Sequence, residues 1–109
     1  TCVVAGDFIY VSHTVGMTDD QGARLESVEA QTKQTFVNLA RTLDAAGASI
    51  EDIVQTTVYL RDLADFHAMR EAYRSPFKPG AYPARMTATS EFLDANCKVM
   101  IVAVAYKPR

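Results

Sequence analysis

The sequence predicts an α+β domain in which a mixed β-sheet carries two amphipathic helices on one face. Two observations support this fold class. Apolar residues recur at threes and fours in two segments, as on a helix face, and they alternate in the segments around them, as in strands. Glycine, proline and aspartate stand at the joints between these segments. The predicted order is ββ-α-β-α-ββ, and the chain length suits one domain, which we assign to residues 1–109.

The N-terminal third predicts a hairpin followed by a helix. TCVVAGDFIYVSHT contains two β-branched and aromatic runs with Gly6 and Asp7 between them, which favours a tight turn. The polar stretch TDDQGAR at 18–24 predicts a second turn. Ser27 is a suitable N-cap, and Gly47 stands where helices commonly end. The apolar or small residues expected on one face of this helix are Val28, Thr32, Phe36, Leu39, Leu43 and Ala46.

The remainder predicts a strand, a second helix and two further strands. SIEDI at 49–53 has the serine-to-Asp52 spacing of a capping box, and Asp65 is placed to cap the second helix. The last two strands are predicted at about 84–92 and 98–106. One face of the middle strand is expected to carry Val54, Thr56, Val58 and Leu60. The inner face of the second helix is expected to carry Phe66, Met69, Ala72, Tyr73 and Phe77.

Two helices cannot cover both faces of a sheet of about five strands. We assign Tyr59, Ile101, Ala103 and Ala105 to the face that the helices leave open. These side chains are too apolar to face water as a group, so another subunit is expected to cover them. The sequence therefore predicts a homo-oligomer.

Composition excludes several classes of function. The chain is 49% hydrophobic and 22% charged with a net charge of −2, which is typical of a globular domain. The chain has no stripe of basic residues of the kind that binds nucleic acid. Its apolar runs are all shorter than the ~20 residues of a membrane span. Nothing at the N-terminus resembles a signal peptide. Cys2 and Cys97 are expected to be free thiols, so we expect a cytoplasmic protein with neither nucleic acid nor membrane as a partner.

Metal and nucleotide cofactors are not expected. His13 and His67 are the only histidines, and neither has a cysteine or a second histidine at the spacing of a metal site. Neither a Walker loop nor a G-x-G-x-x-G motif is present. We therefore predict no metal and no cofactor.

Arg85 is the charged residue whose position most needs an explanation. It lies in GAYPARMTATSEF at 80–92, at the start of a half-buried strand. One interpretation is a strand-end arginine paired with Glu91 or Asp94. The other is a carboxylate anchor, because a guanidinium has a planar fork of donors that matches a carboxylate and it keeps its proton.

The other candidates each have a structural and a functional interpretation. Ser12 is a pocket hydroxyl or a strand-end serine bonded to backbone, and Tyr82 is a pocket wall or an interface aromatic. His13 titrates near neutrality or is simply solvated. Arg70 and Arg74 lie one turn apart on the second helix and are expected on its exposed face.

With these residues in place, the chain resembles the Rid family of reactive intermediate deaminases, also called YjgF-like or L-PSP endoribonuclease proteins. The stretches that carry the resemblance are AGDFIYVS, EAQTKQTFVNLARTLDAAGASIEDIVQTTVYLRDLADFHAMREAY and YPARMT. The resemblance implies a chorismate-mutase-like fold, in homotrimers whose sheets form a central barrel with clefts between subunits. It also implies hydrolysis of 2-imino or 2-enamino acids to 2-keto acids and ammonia, with Arg85 holding the substrate carboxylate.

The chain departs from the family pattern at four positions, one of which is Val102 in place of the last strand's next acidic residue. Met100 stands where the best-known deaminases have a last-strand glutamate that activates water, and a methionine cannot accept a proton. His13 replaces the glycine of V-S-G-Q, and Arg70 aligns with a common asparagine. Water would then be activated by His13, by Glu91 or by a backbone carbonyl.

Four functions remain open. Imine deamination with Arg85 as the catalytic anchor, and Ser12, Tyr82 and His13 as further substrate-binding residues, is the leading hypothesis. The alternative is a non-catalytic trimer that binds small carboxylates. A 2-aminomuconate-type deaminase and a ribonuclease are less favoured, the latter because the chain is acidic and has no basic groove.

Overall fold

The computed structural model describes residues 1–108; Arg109, the last residue of the predicted domain, lies outside them. The described part has the predicted order ββ-α-β-α-ββ, which is thereby confirmed. Its last strands are shorter than predicted, since the fourth ends at residue 89 rather than 92. In chain order the elements are β1 (Cys2–Ala5), β2 (Phe8–Thr14), α1 (Val28–Ala45), β3 (Ile53–Leu60), α2 (Phe66–Arg74), β4 (Ala84–Thr89) and β5 (Val99–Tyr106).

The five strands form one mixed sheet in the order β1-β2-β5-β3-β4. The pairs β1/β2, β2/β5 and β3/β5 are antiparallel. Strands β3 and β4 are parallel, because α2 carries the chain back to the starting end of β3. Strand β4, which contains Arg85, is therefore an edge strand that runs beside α2.

Capping groups end α1 where the sequence predicts. The Ser27 hydroxyl accepts a hydrogen bond from the Ala30 amide at 3.1 Å, and Gly47 has a φ of 84° just beyond the helix. The 18–24 turn is also present, with the Asp19 carboxylate accepting from the amides of Gln21 and Ala23 at 2.9 Å. Both predictions are confirmed.

Gln31 ties α1 to the loop before β5. Its side chain is fully buried. Its Nε2 donates to the Leu25 carbonyl at 3.0 Å and to the Asn96 carbonyl at 2.8 Å, and its Oε1 accepts from the Lys98 amide at 2.8 Å. Three hydrogen bonds satisfy this buried amide and hold β5 in register under the helix.

The core lies between the helices and one face of the sheet, and the assignment of three residues to the open face was wrong. Ile101, Ala103 and Ala105 are at most 1% exposed and point into the core. Strand β5 is apolar at every position, so its sequence has no polar and apolar alternation that would show which face the helices cover. Pairing decides it, because Ile101 and Ala103 lie opposite Val58 and Thr56, which are buried under the helices.

The open face of the sheet is nevertheless apolar. Tyr59 lies there half-buried, as predicted, and Phe8 packs on Tyr106 with ring centroids 5.1 Å apart. Tyr10 is 49% exposed and Met86 61% exposed. The remaining apolar residues of this face on β5 are Met100, Val102 and Val104.

Two local predictions on capping and strand phase were wrong. Val54 is exposed rather than buried, because the β3/β5 register shifts between Ile53 and Gln55 and inverts the alternation there. Asp65 occupies the N-cap position of α2 without a side-chain cap bond. The Asp62 carboxylate instead accepts from the Ala64 amide at 2.9 Å, in the 3₁₀ turn that leads into the helix.

The prediction of free thiols is confirmed, since Cys2 and Cys97 form no disulfide. Among residues 1–108, no helix is both long and apolar enough to cross a bilayer.

Candidate functional site

A cavity of about 450 Å³ lies where α2 meets edge strand β4. Arg85 pairs in register with Thr56 of β3, so its side chain is on the helix side of the sheet. The cavity volume is typical of sites for small molecules, ~300–1,000 Å³. The residues that line it are Arg70, Tyr73, Arg74, Tyr82, Pro83 and Arg85.

Aromatic rings, rather than an acid, support Arg85. Its guanidinium carbon lies 5.1 Å from the Tyr73 ring centroid and 5.7 Å from that of Phe66. Within residues 1–108 Arg85 forms no salt bridge, and neither Glu91 nor Asp94 pairs with it. The interpretation of Arg85 as one half of an internal ion pair is therefore not what the structure shows. The guanidinium donors remain available to an anion in the cavity.

Tyr73 is fixed in place beneath this guanidinium. Its ring is buried on the inner face of α2 against Phe36, with centroids 5.4 Å apart, and its hydroxyl is 2.7 Å from Thr56 Oγ1. Burial raises the pKa of Tyr73, against the opposing effects of the Thr56 hydrogen bond and the Arg85 charge. The phenol therefore stays neutral and rigid.

Tyr82 forms the outer wall of the same cavity, next to Arg74. Its ring packs edge-on against Phe77 at 6.3 Å, and the Arg74 guanidinium carbon lies 5.8 Å from its centroid. A hydrogen bond with the Tyr82 hydroxyl raises the pKa of Arg74. The structure thus brings Tyr82 and Arg85 together, as expected for two residues of one site.

Arg74 is exposed, as expected, whereas Arg70 is not fully on the exposed face of α2. Both line the cavity, and Arg70 is only partly exposed, with its guanidinium carbon 5.9 Å from the Phe66 centroid. The Nε of Arg70 is buried and has no hydrogen-bond partner within residues 1–108. Arg70, Tyr73 and Arg74 have the i, i+3, i+4 spacing of one helix face, and this spacing is the signal by which the sequence could have grouped them.

A second cavity, of about 590 Å³, lies on the open face near the beginning of β5. Met100 lines it, together with His13, Glu91 and Tyr59. The two side chains named as substitute water-activating groups therefore lie in the same cavity as the methionine. Ser12 is exposed on β2, and its hydroxyl donates to the Thr1 carbonyl at 3.0 Å.

One chain does not bring all the predicted site residues together. Strands β5 and β3 separate Arg85 on β4 from Ser12 and His13 on β2, which amounts to three strand spacings or about 14 Å. Met100 pairs with Tyr59 on the open face, whereas Arg85 is on the helix side. Within residues 1–108 no three histidine, cysteine or acidic side chains are grouped to hold a metal.

Comparison with known proteins assigns the family. The model of the family described as Endoribonuclease L-PSP matches residues 1–107. The chain belongs to this family, the Rid or YjgF-like proteins. A human Rid-family relative named 2-iminobutanoate/2-iminopropanoate deaminase is 35% identical over 98 residues, which cover 89% of this chain and 71% of that protein.

The Rid family also has members of different length. Reactive Intermediate Deaminase A, chloroplastic, from Arabidopsis thaliana is 36% identical over 104 residues, 94% of this chain, but the match spans only 55% of that longer protein. Proteins with such names show that the family includes imine deaminases.

Solved structures of Rid-family proteins have the same fold. RidA from the Antarctic bacterium Psychrobacter sp. PAMC 21119 superposes with a TM-score of 0.85 at 30% identity, covering 96% of this chain and 85% of that one. E. coli TdcF with bound serine gives a TM-score of 0.86 at 28% identity, covering 97% and 85%. The predicted YjgF-like α+β architecture is confirmed.

Proposed function

We propose that this protein hydrolyses 2-imino or 2-enamino acids to 2-keto acids and ammonia, with Arg85 holding the substrate carboxylate. The observation that carries the proposal is an arginine that stacks on two rings, lines a cavity and has no acidic partner in its own chain. The names of relatives at about 35% identity support the reaction.

The reaction needs orientation more than strong chemistry. Water adds to the imine carbon, a proton moves to nitrogen, and the resulting carbinolamine collapses to a ketone as ammonia leaves. Two parallel hydrogen bonds from Arg85 to the carboxylate would fix the imine carbon next to that anchor. Tyr82 would close the outer side of the substrate.

Activation of water is assigned to the second cavity. Met100 has no group that accepts a proton, so His13 or Glu91, which line the same cavity, is proposed to take that role. Ser12 and His13 stay proposed substrate-binding residues. Because one chain holds these groups on the other face from Arg85, the complete site is proposed to lie between subunits of a homotrimer.

The deaminase proposal is tested by generating an imino acid in situ. An amino-acid oxidase supplies the imine, and release of the 2-keto acid is followed with the protein, without it, and with an equal amount of heat-denatured protein. We expect only the native protein to accelerate release. Equal rates in all three reactions would contradict the proposal.

Met100 favours one second candidate, a non-catalytic trimer that binds small carboxylates. Titration calorimetry with pyruvate and 2-ketobutyrate separates the two functions. Binding without accelerated imine hydrolysis supports the binding protein, whereas binding with acceleration supports the enzyme.

The proposed trimer predicts that Val102→Lys dissociates the assembly. Val102 is half-buried at the centre of the open face, where no helix packs, so lysine is tolerated in one chain but not under a partner's sheet. Light scattering after size exclusion should change from a trimer to a monomer. Val37→Lys, at a 40% exposed position on α1, is the matched control and should leave the mass unchanged. A Val102→Lys protein that keeps the wild-type mass would remove the open face from the interface.

A further inference from the structure

The cavity beside Arg85 holds more positive charge than one carboxylate needs. Arg70 and Arg74 from α2 and Arg85 from β4 line it together. No acidic residue lines it among those the structure describes, and none of the three arginines forms a salt bridge there. Like charges repel, and Glu71, which lies beside Arg74 on α2, offsets only part of the positive charge of the three guanidinium groups.

Structural roles explain this cluster only in part. Arg74 lies in the last turn of α2, where a cation interacts favourably with the helix dipole. That position does not explain Arg70, which is a full turn earlier and has a buried Nε without a hydrogen-bond partner. A buried donor left unpaired costs free energy, so hydrogen bonds within the described chain do not account for the position of Arg70.

Aromatic residues hold the arginine of β4 and the two arginines of α2 in a defined arrangement. Arg85 and Arg70 both stack on Phe66, at 5.7 and 5.9 Å from its centroid, and Arg74 stacks on Tyr82 at 5.8 Å. Stacking restricts each guanidinium plane, and apart from the buried Nε of Arg70 and the Arg74 donor that bonds to Tyr82, the edge donors are left for a ligand. The cavity therefore has one anion-binding group on the strand and a second on the helix.

We propose that the substrate carries a second anionic group, a carboxylate at the far end of a short chain, which Arg70 and Arg74 bind while Arg85 binds the carboxylate next to the imine. This inference rests on the proposed deaminase function and narrows its substrate class to 2-imino or 2-enamino dicarboxylates. A cavity of about 450 Å³ has room for a short-chain dicarboxylate.

The test compares two imines that differ only at the far end. Glutamate and norvaline, each oxidised by an amino-acid oxidase, give 2-iminoglutarate and 2-iminopentanoate, which have five carbons each and end in a carboxylate and a methyl group. We expect kcat/KM to favour the dicarboxylate by about tenfold or more, as an added charge-assisted pair would allow. The preference should weaken as salt is added, since salt screens partly exposed charges.

Variants assign the preference to the two helix arginines. Arg70→Gln and Arg74→Gln should each lower the ratio of the two kcat/KM values, and the double variant should bring it near one. Arg24→Gln, which removes an exposed arginine paired with Glu26 outside the cavity, is the matched control and should keep the wild-type ratio. Thermal unfolding without ligand should show that the double variant still folds, although it loses the favourable interactions of Arg74 with the helix dipole and with Tyr82.

A binding measurement separates failure of this inference from failure of the deaminase proposal. Titration calorimetry with 2-oxoglutarate and 2-oxopentanoate needs no turnover. If neither imine is hydrolysed faster but 2-oxoglutarate binds about tenfold tighter, and the double variant loses that difference, the two-anion site stands and only the reaction is wrong. A wild-type ratio near one in both assays, or a ratio that the double variant leaves unchanged, would overturn the inference.

Discussion

Replacing Arg85 with glutamine should lower kcat/KM for every 2-imino acid by about a hundredfold or more. Glutamine cannot present the charged two-donor fork, and the loss of charge-assisted hydrogen bonds worth ~1.5–3 kcal/mol each corresponds to that factor. Arg85→Lys keeps the charge without the fork, so it should retain part of the activity. Initial rates of 2-keto acid release against imine concentration, for the three proteins, measure the effect.

The loss should not come from unfolding. Arg85 is exposed and makes no hydrogen bond or salt bridge within residues 1–108, so its replacement removes only the two ring contacts and should lower the free energy of unfolding by ~1 kcal/mol. Thermal unfolding checks this, and Arg24→Gln serves as the control for removal of one positive charge. An Arg85→Gln protein with wild-type kcat/KM would show that the carboxylate is held elsewhere.

Gly16→Ala should be the most destabilising conservative change in the loop that follows β2. A Cβ at this position would lie 2.5 Å from the Thr35 amide nitrogen, 2.7 Å from the Gln31 carbonyl oxygen and 2.8 Å from the Gln34 carbonyl carbon. All three are backbone atoms of α1, which cannot move aside like a flexible side chain. We expect a loss of ~3 kcal/mol, the upper end for overpacking, and a melting temperature lower by more than ~10 °C.

Gly22→Ala is the matched control for this change. Gly22 has a φ of 85°, so alanine there is strained, but its Cβ would have no atom within 4 Å. Left-handed strain alone costs ~1–2 kcal/mol. Urea unfolding at equal protein concentration should therefore rank Gly16→Ala well below Gly22→Ala in stability. The reverse order would mean that the loop at Gly16 moves away from the helix at little cost.

The spacing of apolar residues along the sequence was enough to predict most of the helices and strands. The hairpin at Gly6, α1 from its Ser27 cap to Gly47, and the strand around Val58 all follow from local spacing, because each pattern reflects the geometry of a single element. Local spacing did not predict that Val54 is exposed or that Asp65 makes no cap bond. Both depend on a neighbour, the first on a register shift against β5 and the second on the turn that enters α2.

Some residues of the candidate site could be predicted from the sequence, and others could not. Arg85 and Tyr82 stood out in the sequence, since a fixed cation at the mouth of a strand needs a partner. Arg70 and Arg74 did not, because on a surface helix their spacing is equally that of a solvated face. Only the packing of α2 against β4 shows that they share a cavity with Arg85.

The order of the elements, the family and the arginine at the P-A-R step were therefore in the sequence, because periodicity and motif are properties of neighbouring residues. The tertiary structure alone decided which face of β5 is core, that Arg85 has no acid of its own chain, and that three arginines meet in one cavity. Each of these depends on strand pairing and helix packing between segments far apart in the chain, where local spacing carries no information.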